Sequence, residues 1–365
     1  MPAQGPTVRE ITHDSGQGSD FLLVDLSPAI VQQLSNVKGP SLVQSFGNAP
    51  SAPVRTLEAG DVVSVTIWDA GGGLFAPPNA AAAGGAPGTQ QTTLPNQIVD
   101  PKGQITVPFG GQIHVGGKSM VQAQQAIVGA LANKALQPQA LITIIQDQSN
   151  LVTVIGDVKT PNRITLDING MRALDAIARA GGAQNPAYDE VVQLTRHGVG
   201  KRVRLSLIIG NPAENIYLQP DDTLYVLHDP AVVSVLGATN KNTRVLFDTE
   251  QMTLAEALGL AGGLRDAQAE ATGVFVFRME PSDTARGLKA GGPVNTPVVP
   301  VIFRANLRVP QDYFVAQSFQ MQDKDIVYVA NAETTQLDKL LVLFLHAGEI
   351  ASIVNRAGNV GVNGP

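Results

Sequence analysis

The chain has 365 residues, 44% of them hydrophobic, which is enough material for two or three packed domains. Its 25 Lys plus Arg stand against 31 Asp plus Glu, a formal net charge of -6, and no basic run exceeds a pair, so nucleic acid is not expected as a partner. The absence of cysteine excludes disulfides, Fe–S clusters and thiolate zinc sites.

The opening residues hold no apolar core of a signal peptide, so the chain as written reads as either cytosolic or a mature form with an added Met1. Residues 1–53 are turn-prone apart from the apolar island at 21–26 and the helical spacing of Ile30, Val31 and Leu34 behind Pro28. This pattern predicts an arm that docks a strand and a helical turn onto a body formed later in the chain, with a disordered tail as the alternative.

From Leu57 the register changes to LEAGDVVSVTIWD, in which Gly60-Asp61 makes a turn and Val63, Val65 and Ile67 alternate as a half-buried strand. Residues 70–97, rich in Ala, Gly and Pro, are expected to form a loop that builds no core. The stretch IVDPKGQITVPFGGQIHVGG then reads as a strand, a Pro-Lys-Gly turn and two more strands. Ser119 and Gln122 fit a capping box for a helix carrying Val121, Ala126, Ile127, Ala130 and Leu131, and a strand over 140–146 closes the unit.

One stretch is then written twice. Residues 154–182, VIGDVKTPNRITLDINGMRALDAIARAGG, align without a gap on 235–263, VLGATNKNTRVLFDTEQMTLAEALGLAGG. Matched positions include Gly156 with Gly237, Asp167 with Asp248, Met171 with Met252, Asp175 with Glu256, and Gly181-Gly182 with Gly262-Gly263. Each copy predicts a β-rich stretch, a polar turn, a short strand and a helix stopped by its glycine pair. The tails also match, Asp222 with Asp325 and Tyr225 with Tyr328, once an insertion in the second copy is placed in its Gly/Pro-rich segment 283–300. A repeated unit of short strands around one helix predicts tandem small α+β domains.

The last segment, ETTQLDKLLVLFLHAGEIASIVNR over 333–356, has a helical period instead. Leu337, Leu340, Leu341, Phe344, Ala347, Ala351 and Val354 fall on one side, and Asp338, Lys339, His346, Glu349 and Arg356 on the other. About 20 helical residues span roughly 30 Å, the thickness of a bilayer core. A helix packed on its own body, or lying on a membrane surface, is the other reading.

Catalytic and cofactor signatures are missing. The five histidines are scattered, with no HExxH. Gly198-Val199-Gly200-Lys201-Arg202 lacks phosphate-loop spacing and fits a hairpin turn better, and no GxSxG occurs. Asp221-Asp222 and Asp323/Asp325 each precede a strand at the same place in both repeats, which suits turn formation rather than acid–base work. Trp68 and the Tyr225/Tyr328 pair are candidates for stacking on sugar rings or for ordinary strand packing. No cofactor, metal or enzymatic activity is expected.

The motifs GDVVSVTIWD and DPKGQITVPFGG, followed by the doubled unit ending in AGG and the terminal amphipathic helix, resemble in content and order the outer-membrane polysaccharide export family, the Wza-like translocons. The resemblance implies an α+β chain: an N-terminal arm (1–53) docking on later domains, a polysaccharide export domain (54–149), two SLBB-type, β-grasp-like domains (150–231 and 232–333), a transmembrane amphipathic helix (334–357) and a tail (358–365). It further implies a homo-oligomeric ring, usually of eight subunits. That ring would stand in the periplasm, meet an inner-membrane copolymerase, and pass capsular or exopolysaccharide through an α-helical barrel across the outer membrane. On that pattern Pro108 and Phe109 narrow the periplasmic end. In the terminal helix Asp338, Lys339, His346, Glu349 and Arg356 face the lumen, and Leu337, Leu340, Leu341, Phe344 and Ala351 face lipid. The family is typically anchored through an acylated N-terminal Cys, which this sequence does not show. A soluble periplasmic sugar-binding protein without a pore is the alternative.

Overall fold

A computed structural model describes residues 8–13, 21–37, 39–49, 51–70, 90–265, 268–288 and 296–331. The chain forms two compact bodies, residues 40–229 and residues 1–39 together with 230–365. The N-terminal segment gives α1 (Val8–His13), β1 (Leu22–Asp25) and α2 (Pro28–Ser35) to the latter.

The 40–229 body opens with α3 (Leu42–Phe46), followed by β2 (Val62–Asp69), β3 (Gln90–Thr93), β4 (Gln97–Ile98), β5 (Gln104–Val107), β6 (Gly111–His114), α4 (Met120–Leu131) and β7 (Gln139–Gln146). Strand β2 is the centre of a small antiparallel sheet, with β7 along one side and β3 and β4 on the other. Its alternation works as the sequence predicts: Val63, Val65 and Ile67 are fully buried against Ile127 and Leu131 of α4 and the apolar side of the β5–β6 hairpin. Helix α4 starts at the expected capping box, Ser119 accepting from the Gln122 N–H while the Gln122 side chain accepts from the Ser119 N–H.

The first repeat comprises β8 (Leu151–Gly156), β9 (Asn162–Thr165), α5 (Ala173–Arg179), β10 (Glu190–Arg196), β11 (Val199–Arg204), α6 (Leu205–Gly210) and β12 (Thr223–His228), with sheet order β11-β10-β12-β8-β9. The second comprises β13 (Val232–Gly237), β14 (Thr243–Leu246), α7 (Leu254–Leu260), β15 (Ala269–Pro281), α8 (Ser282–Leu288), β16 (Val298–Ala305), α9 (Pro310–Ser318) and β17 (Ile326–Asn331). Its sheet runs β1-β16-β15-β17-β13-β14, the same order with β1 added in parallel at the edge. Both repeats exceed the expected single helix, since α6 forms in the first and α8 and α9 in the second. The first repeat turns from β10 to β11 through His197-Gly198 alone, both at positive φ (49° and 78°). Its counterpart in the second repeat holds residues 282–297, so the insertion lengthens this hairpin.

The glycine pairs stop helices. Gly181 and Gly182 sit at φ 85° and 82°, and the Gly182 N–H donates back to the Ile177 carbonyl at 2.9 Å; Gly262 and Gly263 repeat this at 80° and 79°, with Gly263 donating to Leu258 at 2.9 Å. The helix starts also match. Asp175 accepts from the Arg172 N–H, and Glu256 from the Thr253 N–H. That backbone bond, then the Thr253 hydroxyl, holds the Glu256 carboxyl below its ordinary range.

One difference between the repeats explains the arm. The sheet of the first repeat buries one face, and on the other Gln193, Thr195 and Tyr225 remain partly or largely accessible. In the second, the matching strands carry Phe275, Phe277 and Tyr328, all within 3% of fully buried, packed with Ile302 against Ile11 of α1 and with Phe21. The arm therefore covers the back of its sheet while β1 extends the sheet's edge and α2 packs Ile30, Val31 and Leu34 on the front core. Each fully buried Phe contributes about 1.5–3 kcal/mol. Within the other body, α3 docks on the first repeat, where buried Glu214 accepts from the Ser41 hydroxyl (2.5 Å) and the Leu42 N–H (2.6 Å) at the helix start.

Each core also encloses an ion pair. Arg196 donates to Asp222 (2.9 and 2.6 Å) and to the Tyr217 carbonyl; Arg278 donates to Asp325 (2.8 and 2.6 Å) and to the Gln320 carbonyl. The aspartates make the expected turns too, accepting from the Gln219 and Gln322 N–H groups. The second copy adds Glu280, 1% exposed, at 3.4 Å from the Arg278 guanidinium. Burial pushes the carboxyls of Glu280 and Asp325 above their ordinary values. For such groups the stability contribution is present below the ordinary carboxylate pKa and is lost as pH rises through the raised folded value. Glu280→Gln is therefore expected to be more stable than the parent at neutral pH, with the gap closing toward pH 4.5, the ordinary value for this group. Denaturation midpoints across that range measure it, and a gap independent of pH would refute the assignment.

Candidate functional site

The hairpin named from the sequence is built by local chemistry. Asp100 accepts from the Lys102 and Gln104 N–H groups (2.9 and 2.8 Å), and Gly103, at φ 72°, allows His114 and Gly116 to pack where a side chain would stand. Strands β5 and β6 then run antiparallel to a tip at Pro108, Phe109 and Gly110. Gly110 donates to the Val107 carbonyl at 3.0 Å, and Phe109 takes φ 64°, unusual for an aromatic residue. The Lys134 ammonium donates to the Phe109 carbonyl, tying the tip to the end of α4. Phe109 is 53% exposed although the hairpin base is buried, so a large apolar ring projects from a braced turn.

The buried Asp61 of the GDVV motif organises the junction with the first repeat. It accepts from the N–H groups of Glu58, Gln148 and Ser149 and from the Ser149 hydroxyl at 2.8–3.0 Å. Beside this junction lies a cleft of about 630 Å³ lined by Glu58, Gln148, Ser149, His197, Gln219 and Asp221 among others. The lining is polar and suits hydrogen bonding to hydroxylated or amide-bearing ligands. No group of three or more His, Asp or Glu among the described residues is arranged to hold a metal ion.

No helix among the described residues is long and apolar enough to cross a membrane. The helix expected over 334–357 lies outside them, and with it the expected polar positions Asp338, Lys339, His346, Glu349 and Arg356 and the expected apolar positions Leu337, Leu340, Leu341, Phe344 and Ala351.

Comparison with known proteins agrees with the order of modules. Residues 49–145 match the family described as polysaccharide biosynthesis/export protein, and residues 150–226 and 231–329 each match the SLBB domain. The chain is 35% identical over 372 residues to the capsule polysaccharide export protein BexD of Haemophilus influenzae, covering 97% of this chain and 93% of the relative. It is 32% identical to the capsule polysaccharide export outer membrane protein CtrA of Neisseria meningitidis (93% and 90% covered). The chain belongs to the outer-membrane polysaccharide export family. A more distant relative, the Vi polysaccharide export protein VexA/TviF of Salmonella typhi, is 26% identical over 89% of the chain and 87% of its own length. The Phe109 hairpin thus lies in the export domain, and the Asp61 cleft lies where the export domain joins the first SLBB domain.

Sequence reasoning missed Arg196 and Arg278, although their aspartate partners were aligned. The signal was present: in the structure Arg196 and Arg278 occupy equivalent strand positions, but a one-residue slip after the second glycine pair separates them in the ungapped alignment.

Proposed function

We propose that this protein is a non-enzymatic outer-membrane channel that exports capsular or exopolysaccharide from the periplasm to the cell surface as a ring-shaped homo-oligomer. The observation that carries the reading is end-to-end similarity to relatives named as capsule polysaccharide export proteins, spanning the export domain and both SLBB domains. In this reading most of the mass stands in the periplasm, the export-domain ring meets an inner-membrane copolymerase, and Pro108 and Phe109 constrict the entrance. The helices over 334–357 assemble, eight to a ring, into an α-helical barrel across the outer membrane. A single helix with Asp338, Lys339, His346, Glu349 and Arg356 along one side is costly in lipid; a ring turns that side to a hydrated lumen and its leucines outward.

Deleting residues 334–365 is expected to abolish surface polymer and to release the protein from the outer-membrane fraction. In full-length protein, Leu341→Asp should impair insertion while Glu349→Gln should not, as scored by membrane fractionation and surface-polymer staining. Undiminished export by the truncation, or equal defects in the two point variants, would overturn the channel assignment.

A further inference from the structure

The outward face of the export-domain sheet is not absorbed by the channel reading. With Val63, Val65 and Ile67 turned to the core, the opposite face of β2 presents Ser64, Thr66 and Trp68. Trp68 is registered between Gln139 of β7 and Gln91 of β3, and Thr66 between Leu141 and Thr93. The Thr66 and Thr93 hydroxyls bond each other at 3.1 Å, and Thr143 lies opposite Ser64. Trp68 is half-buried, Gln91 and Gln139 are exposed, and Leu141 and Ile145 are each 49% exposed. The side-chain amides of the two glutamines and the indole N–H have no protein partner among the described residues.

These strand positions carry no charged side chain, in a protein with 56 acidic and basic residues in total (31 and 25). That composition does not match an anionic lipid surface or a charged polypeptide. It matches an uncharged, hydroxyl-rich chain: the C–H groups of a pyranose ring meet the electron-rich face of an indole, and flanking carboxamides donate to and accept from ring hydroxyls. We propose that this face, centred on Trp68 between Gln91 and Gln139, binds the pyranose rings of a glycan chain, a docking place on the export domain outside the lumen constriction. The proposal rests on the polysaccharide reading above for the availability of its ligand.

Trp68 is the single tryptophan, so its emission reports this face alone. The full-length protein in detergent is titrated with maltohexaose and with tetra- to octasaccharides released by mild hydrolysis from the surface polymer of the producing cells. A saturable change in Trp68 emission is expected with at least one of them. Raising NaCl should leave the affinity unchanged because no charge takes part. By calorimetry, Gln91→Ala/Gln139→Ala should weaken binding about tenfold, consistent with loss of two hydrogen-bonding groups. Trp68→Phe, which keeps a strand-compatible aromatic, should weaken it severalfold. No saturable change with either probe, equal affinity in the Gln91/Gln139 variant, or loss of binding with salt would overturn the proposal. So would shielding of Trp68 from acrylamide that grows with protein concentration, which would assign the face to a second copy. None of these results alters the truncation test, so the channel reading stands or falls separately.

Discussion

Arg278→Met is expected to cost about 3–5 kcal/mol, because removing one partner of a buried ion pair strands the other in a medium that cannot solvate it. Here two carboxylates are stranded. Asp325 loses bonds of 2.8 and 2.6 Å, and Glu280 loses the one cation within its reach among the described residues. The Gln320 carbonyl also loses its donor, and the ring faces of Phe303 and Phe319, 5.5 and 4.9 Å from the guanidinium carbon, lose a cation–π partner. In the first SLBB domain Arg196→Met strands only Asp222, so its cost should be smaller. Hydrogen exchange over β15 and β17 measures the first variant and over β10 and β12 the second; Trp68, in the other body from Arg278, is no substitute. Adding Asp325→Leu and Glu280→Leu to Arg278→Met should recover most of the loss, since an apolar replacement of similar volume removes the uncompensated charge. Equal protection in Arg278→Met and parent would show that the network contributes nothing net.

The architecture was legible wherever local chemistry decides it. The strand alternation of Val63, Val65 and Ile67, the Ser119–Gln122 box and both glycine stops depend on residues a few positions apart, and each forms as read. What depended on distant partners was less legible. Gln193 and Thr195 against Phe275 and Phe277 already distinguish an open sheet face from a covered one, but the cover comes from Ile11 and Phe21 at the far end of the chain. Asp222 and Asp325 read as turn residues, which they are, while their larger commitment is to arginines that only the fold brings near. Phe109 could be nominated as a constricting residue only through family resemblance, whereas its left-handed backbone and its brace from Lys134 belong to tertiary structure.

Gly237→Ala is expected to be the more damaging of two outwardly similar changes, the other being Gly263→Ala. Both glycines have positive φ, 94° and 79°, so each alanine incurs a left-handed backbone cost of about 1–2 kcal/mol. At Gly263 nothing lies within 4 Å of the added carbon, and the cost ends there. At Gly237 that carbon would stand 2.1 Å from the Val329 carbonyl oxygen and 2.9 Å from the Tyr328 ring. The same oxygen accepts the Ala238 N–H at 2.9 Å, so relief requires the parallel pair of β13 and β17 to part at its last rung. A loss above about 4 kcal/mol is expected, within the range reserved for a named structural failure. The first SLBB domain offers an internal replicate: an alanine at Gly156, φ 93°, would place its carbon 1.9 Å from the Val226 oxygen, which accepts the Asp157 N–H. Gly156→Ala should therefore match Gly237→Ala and exceed Gly182→Ala, whose added carbon also meets open space. If all four alanines cost the same, backbone strain alone explains these glycines. The ordered result would show that close approach of two strand backbones requires glycine at Gly156 and Gly237.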